Sequence, residues 1–324
     1  MLEIPNEHLE AFEAALDPAH PERSSVPADI LGYGEMSTVL TFSVPPYNRY
    51  AFKRMALFRS SAEIDTYEGH YRHYNAALAQ MGLRLPNYGV NRVPDAMGQI
   101  VLYLSQDRLD GRSIANKVLH DLPKDDALRL LRAIQQAALA VFLHNHTASQ
   151  QKGSTYSLDI QISNWAVEGY DPQSPRFTGD ESLLYIDTST PMYRIDGKEQ
   201  LDPELFLRIC PASLVWIIRW LFLEGVLQRY YNFRLVVLDL LANLIKEGRE
   251  DLLESAVSQA NAFFAEQAAV LACRPLTQKE IRSYYKEDAL IWRLFLSFRR
   301  MERFLKTKIQ RKRYNIILPG PIKR

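Results

Sequence analysis

Asp159 and Asn164 lie five residues apart in Leu158-Asp159-Ile160-Gln161-Ile162-Ser163-Asn164-Trp165, and Asp187 closes the apolar run Leu184-Tyr185-Ile186. A carboxylate at the end of an apolar strand is costly unless a cation meets it. Two carboxylates and an amide converging on one cleft suit a hydroxyl acceptor and a hard cation. Asp159 can orient or deprotonate the hydroxyl, while the Asn164 amide oxygen and the Asp187 carboxylate hold magnesium on phosphate. Each residue singly is also what a turn uses to cap its own backbone. The grouping carries the signal.

A second constellation lies upstream. Leu31-Gly32-Tyr33-Gly34-Glu35-Met36-Ser37-Thr38-Val39 has two glycines two apart. That spacing lets the backbone fold close to an anionic ligand and turn N–H groups toward phosphate oxygens, with Val39 covering one side of a flat base. An ordinary hairpin turn has the same pattern. Fourteen residues past Val39, Lys53 sits among Ala51, Phe52 and Met55. Projected from a sheet it is a fixed positive charge for phosphates, which a carboxylate on the next helix would hold. Glu68 is the first candidate, and Glu63, about one and a half turns earlier, is the competitor. The alternative is a solvated strand lysine.

The elements that must position these groups follow from periodicity. Glu7–Leu16 reads as a short helix, and 17–27, with three prolines, as an extended approach. Ile30–Val44 and Tyr50–Ala56 read together as a β-hairpin, 61–81 as a helix capped at Ser60 or Ser61, and Tyr88–Val93 and Gln99–Leu104 as two further strands. Leu128, Leu131, Ile134, Ala138, Val141 and Phe142 recur at helical spacing within 125–144. Short strands follow at 156–158, 165–167 and 183–186. Beyond Asp202 helices are expected over 203–209, 212–228, 233–246, 250–271 and 277–303. The fold class is α+β with two lobes, a small β-rich one followed by a larger helical one. The boundaries expected are a lead-in over 1–29, the first lobe over 30–106, the helical lobe over 107–281 and a basic helix and tail over 282–324.

Composition bounds the rest. The 324 residues are 47% apolar, which excludes a disordered chain or a disulfide-stapled miniprotein. Cys210 and Cys273 are too few for a disulfide framework or a self-contained zinc site, and no signal peptide is readable, so a reduced cytoplasmic setting is expected. The most apolar stretch, 214–223, contains Arg219 and precedes Glu224, which reads as a buried helix and not a bilayer span. Net charge is +1, yet residues 282–324 hold thirteen basic and three acidic side chains. That tail can be the solvated face of a helix docked through Trp292, Phe295, Leu296, Phe298, Phe304 and Leu305. It can equally draw in an anionic substrate, an acidic membrane or nucleic acid.

In order and spacing these parts resemble the protein-kinase-like superfamily, in the style of the aminoglycoside and choline kinase phosphotransferases, over about residues 30–190. The resemblance maps Gly32, Gly34 and Val39 onto the Gly-rich loop, with Ser37 at its third glycine. It maps Lys53 onto the strand lysine, Glu68 onto its helix partner, Asp159 and Asn164 onto the catalytic loop, and Asp187 onto the metal-binding aspartate. It further implies ATP and Mg2+ as cofactors and a hinge at 102–106, so that Tyr103 and Leu104 contact adenine, with Asp110-Gly111-Arg112-Ser113 leading into the helical lobe. Four departures stand out: Ser157-Leu158 replaces the usual His-Arg, Gln161 replaces a lysine, Asp187-Thr188-Ser189 replaces Asp-Phe-Gly, and no Ala-Pro-Glu segment follows.

The expectation is therefore an ATP-dependent phosphotransferase acting on a hydroxyl of a small molecule, anionic or neutral, rather than of a protein. The competing readings are a nucleotide-binding scaffold that recruits a partner through its basic tail, and AMP transfer on the same fold. His144 and His146 lack visible companion metal ligands. Tyr156, Tyr185, Tyr193 and Arg194 lie near the proposed cleft in sequence, with Arg194 a candidate anion contact. Trp216, Trp220, Tyr230, Tyr231 and Phe233 read as helical core.

Overall fold

The computed structural model describes residues 1–34, 37–202, 204–208, 224–311 and 314–318. A five-stranded antiparallel sheet comes first, built from β1 (Asp29–Tyr33), β2 (Thr38–Thr41), β3 (Tyr50–Met55), β4 (Tyr88–Pro94) and β5 (Ile100–Asp107) in the order β1-β2-β3-β5-β4. The stretch expected as one strand over 30–44 is two strands. Gly34 N–H donates to the Ser37 carbonyl at 2.9 Å and closes the β1–β2 turn.

Alternation gives the sheet two different faces. Phe52 and Tyr103 pack with Val93, Val101, Leu40 and Phe42 against α1 (Glu7–Ala15), through Leu9 and Phe12. Met55, Leu102 and Leu104 face the other way, against Ile64, Tyr67 and Tyr71 of α2 (Ser61–Gln80). Ser60 caps α2, its hydroxyl accepting from Glu63 N–H at 3.3 Å. Segment 314–318 returns to this lobe: Ile317 joins the α1-side cluster, and the Asn315 carbonyl accepts from Arg54 Nη1 at 2.7 Å.

The second lobe is mostly helical: α3 (Ala115–Asp121), α4 (Lys124–Gln150), α5 (Glu204–Leu207), α6 (Glu224–Arg229), α7 (Phe233–Lys246), α8 (Leu253–Glu266) and α9 (Gln278–Phe304). Neither α3 nor the small strands β9 (Tyr193–Ile195) and β10 (Lys198–Glu199) is anticipated by periodicity. The largest core cluster gathers Ile134, Ala138, Val141 and Phe142 of α4 with Val237, Leu240 and Leu241 of α7 and Phe263 of α8. Leu158, Ile160, Ile162, Trp165 and Val167 are buried in the same cluster, so the segment carrying Asp159 and Asn164 is fixed by alternate apolar anchors. Strand β6 (Thr155–Tyr156) pairs with β9, and β7 (Trp165–Val167) pairs antiparallel with β8 (Leu183–Tyr185). The architecture is α+β and two-lobed, a small sheet-rich lobe beside a larger helical one.

Candidate active site

Three short stretches far apart in sequence meet where the lobes face each other. The β7–β8 ladder pairs Trp165 with Tyr185, and Ile186 N–H donates to the Asn164 carbonyl at 2.9 Å, which brings Asn164 beside Asp187. On the opposing sheet, Lys53 alternates away from Phe52 and Arg54 and reaches down. Its Nζ donates to Asp187 Oδ1 and to Ser189 Oγ, both at 2.7 Å. Burial works to raise the Asp187 carboxyl, but the charge and hydrogen bond of Lys53 and the Ser189 donors outweigh it and hold the group below the ordinary aspartate range. Val39, Ala51, Leu104, Gln106 and Ile186 line the same cleft with Lys53, Asn164 and Asp187.

Asp159 lies on a loop whose backbone is pinned on both sides. Ser157 N–H and Oγ both donate to the Met192 carbonyl at 3.1 Å, Tyr74 of α2 donates to the Ser157 carbonyl at 2.7 Å, and Leu158 N–H donates to the Tyr230 carbonyl at 2.9 Å. Ser157 and Tyr74 thus anchor the loop where the resemblance has a histidine. Asn164 Nδ2 donates to the Asp159 carbonyl at 3.2 Å, tying the two polar residues into one turn. Burial is the main reason the Asp159 carboxyl is pushed up to about 7, with the negative charges of Asp239 and Asp187 adding to it. Asp239, on α7, is itself raised to about 6, by burial first and then by Asp288, while Arg229 and Tyr284 work against the shift. A carboxyl that ionises near neutrality lies in the range that suits a general base working at neutral pH.

Among the described residues of the glycine turn, Val39 alone borders this cleft. A Cβ on Gly34 would meet Ser37 Oγ at 2.9 Å, a contact that a turn of the serine side chain relieves, and a Cβ on Gly32 meets nothing within 4 Å. Ser37 is buried at the base of the turn, and Glu35 and Met36 lie outside the described residues.

Several sequence expectations are corrected. Glu68 does not hold Lys53: Arg72 Nη2 and Arg92 Nη2 both pair with its carboxylate, the latter at 2.5 Å, on the outer face of α2. Glu63 pairs instead with Arg208, at 2.7 Å. The α2 face turned to the cleft carries Tyr67, whose hydroxyl donates to the Ser189 carbonyl at 2.7 Å, and Tyr71, which lines the cleft. Tyr103 is wholly buried on the opposite side of the sheet, where its hydroxyl bonds Glu13; Leu104 is the neighbour that reaches the cleft.

Arg194 faces away from Lys53. It pairs with Glu199 at 3.4 Å, stacks 3.9 Å above the Tyr231 ring and borders a separate hollow with Asn145 and Cys273. Tyr156 and Tyr193 stack on each other and on His73, and Tyr185 is buried against Trp165. His144 bonds the Ser154 carbonyl and His146 bonds Gln150; no group of three metal-ligating side chains occurs among the described residues. Phe233 is buried as expected, while Cys210, Trp216, Trp220 and most of the helix expected over 212–228 lie outside the described residues. Leu296 of α9 is buried, but Phe304 at its end and Leu305 just beyond are exposed, unlike the reading in which both dock.

Ser157, Ser189, Asp239 and the tyrosines Tyr67, Tyr71 and Tyr74 are the contributors that motif reading misses. The tyrosines leave a trace in sequence, at spacings of four and three on one helix face. No curated protein matches the sequence. Among solved structures, the GDP complex of wild-type aminoglycoside 2'-phosphotransferase-IIIa is similar at 12% identity and a TM-score of 0.30, over 76% of this chain and 94% of that one. Residues 14–304 match a family of unknown function, DUF6206, and the chain belongs to that family.

Proposed function

We propose that this protein is a magnesium- and ATP-dependent phosphotransferase that acts on a hydroxyl of a small molecule. The observation that carries the reading is the meeting of Lys53, Asn164 and Asp187 at one cleft whose walls, Val39, Ala51, Leu104 and Ile186, are apolar and suited to a flat base, with Asp159 tied to Asn164 through its backbone carbonyl and near enough for its carboxyl to feel the Asp187 charge. Among the described residues every hydrogen bond to the Asp187 carboxylate falls on Oδ1, which leaves Oδ2 for a cation. The Asn164 amide nitrogen is engaged by the Asp159 carbonyl, so its oxygen is the end left for the same cation. Two hard oxygen donors of this kind fit magnesium, which when bound would neutralise phosphate oxygens.

In this reading Lys53 exchanges its contact with Asp187 for the α- and β-phosphates when nucleotide enters. Ser189 and Tyr67 keep the Asp187 loop in place meanwhile. Asp159 orients the acceptor hydroxyl and takes its proton as the oxygen attacks the γ-phosphorus and ADP leaves. Most of the rate gain comes from positioning and charge neutralisation, as phosphoryl transfer requires.

The test is turnover of ATP labelled separately at the α- and γ-phosphates, with magnesium and with water as the acceptor of last resort. Slow release of γ-labelled phosphate with ADP as co-product is expected. Incorporation of α-label into protein or acceptor would instead assign AMP transfer, and magnesium-dependent binding without either product would assign a nucleotide-binding scaffold.

A further inference from the structure

Helix α9 and the single π-helical turn that continues it, Leu305–Ile309, have two unlike sides. The inner side packs on the protein: Ile281 and Leu296 are buried, Tyr284 lies against the α4–α7–α8 core, and Phe295 joins the cluster beneath α2. The outer side carries Leu290, Leu294, Met301, Phe304, Leu305 and Ile309, each between 39% and 64% exposed. Their spacing places them on one stripe, and twenty residues of helix make it about 30 Å long. Single exposed apolar side chains need no explanation; six along one helix face, interrupted by Ser297 and Lys308, do.

Charge says what covers it. Lys286, Arg293 and Arg300 recur every seven residues along one flank of the stripe, all exposed, and Lys308 and Arg311 are exposed at its end. From residue 286 to 311 the chain carries eight basic side chains and three acidic, Glu287, Asp288 and Glu302, the last of which Lys306 engages at 2.7 Å. A second copy of the chain docked two-fold on this stripe would bring the arginine flank against itself, and like charges so placed disfavour it. Nucleic acid offers phosphates but gives an aliphatic stripe nothing to bury against. A surface that is anionic outside and apolar just beneath satisfies both features. None of the described helices is long and apolar enough to cross a membrane, so such a helix would lie in the interfacial plane.

We propose that the outer face of α9 docks the protein on anionic lipid bilayers, with Leu290, Leu294, Met301 and Phe304 entering the acyl boundary and Arg293, Arg300 and Lys308 meeting acidic headgroups. The face needs no folding on contact. Its near end is held by Thr277, which caps α9 by accepting from Glu280 N–H at 3.2 Å, and beyond its far end the Asn315 carbonyl is bound by Arg54. The inference is independent of the phosphotransferase reading, because its readout involves no nucleotide.

The experiment is sedimentation of the full chain with phosphatidylcholine vesicles, with and without phosphatidylserine, at low and physiological salt. Two double variants accompany it, Leu294→Asp with Met301→Asp, and Arg293→Glu with Arg300→Glu. Binding to the anionic vesicles only is expected, weakening with salt. Since each basic residue near the surface contributes about 1 kcal/mol, either double variant should bind at least about 10-fold more weakly at an unchanged melting temperature. Failure to bind anionic vesicles overturns the proposal, as does binding that the aspartate pair leaves untouched. A dimer in light scattering that the aspartate pair dissolves would hand the stripe to a second copy. A melting temperature lowered by several degrees in that variant would mean that the stripe is covered within the chain.

Discussion

Lys53 and Arg54 are neighbours on one strand, both basic and both paired with a carboxylate, yet they sit in opposite worlds. Arg54 points to the α1 side, where Nε and Nη2 clasp Glu13 at 2.6 and 2.9 Å, Nη1 binds the Asn315 carbonyl, and the Tyr103 hydroxyl bonds the same Glu13. Its side chain is 2% exposed and that of Glu13 is not exposed at all. Lys53 points to the cleft and meets a carboxylate that is 37% exposed, with one carboxylate oxygen uncommitted. A bidentate pair sealed from water, with each guanidinium nitrogen engaged, holds α1 and the returning C-terminal segment to the sheet. A single-point pair at the edge of water, made by a flexible ammonium, can be exchanged for a ligand.

Breaking the sealed pair should have the largest effect. Arg54→Met leaves Glu13 buried without its cation, and unfolding in denaturant should show a loss of about 3–5 kcal/mol. Replacing both partners, Glu13→Gln with Arg54→Met, should recover much of that loss. If the single and double variants are equally unstable, the pair is not what joins these elements.

On the cleft side the expected losses are in rate. Asp159→Asn should lower ATP turnover by about 100- to 10,000-fold. In the native protein turnover should fall as pH drops through about 7, because Asp159 gains a proton there. Asp239→Asn removes a nearby negative charge and should move that limb to lower pH. The same ionisation sets a stability slope. The folded protein holds a proton on Asp159 up to about 7 that the unfolded chain releases near its ordinary value of 3.8, so stability from this group declines as pH rises between the two. Chemical denaturation across that window should be flatter in Asp159→Asn.

Two smaller effects sharpen the contrast. Lys53→Met should change folding stability by no more than about 1 kcal/mol, since its partner's side chain is 37% exposed, while abolishing measurable turnover. Glu68→Gln should alter nucleotide affinity least of all, because its carboxylate serves Arg72 and Arg92 on the outer face of α2. An affinity loss in Glu68→Gln as large as in Lys53→Met would mean that α2 moves to bring the glutamate to the lysine.

Long periodic elements were legible from sequence: α2, α7 and α9 lie within a residue of their expected spans, α4 continues past its expected end at 144 to Gln150, and the strand–lysine–helix order places Lys53 on β3 facing α2. The Lys53–Glu68 pair was not legible, although its refutation was. Tyr67, Tyr71 and Tyr74 form the inward stripe of α2, and Glu68 is turned about 100° from Tyr67 and about 60° from Tyr71, off that stripe. Tyr103 could be placed only by the long-range register that sets Lys53 opposite Leu104 and so turns Tyr103 to the Arg54 face. Asp239 and segment 314–318 enter through tertiary packing alone, with no local pattern to announce them.

The central claim is that Lys53, Asn164 and Asp187 form a magnesium–nucleotide site. Calorimetric titration of ATP into the native chain and into Asp187→Asn, each with and without magnesium, tests it most directly. Magnesium-dependent binding by the native chain, lost in a variant that still folds, is the predicted result. Binding that ignores both magnesium and the substitution, or no binding at all, would contradict it.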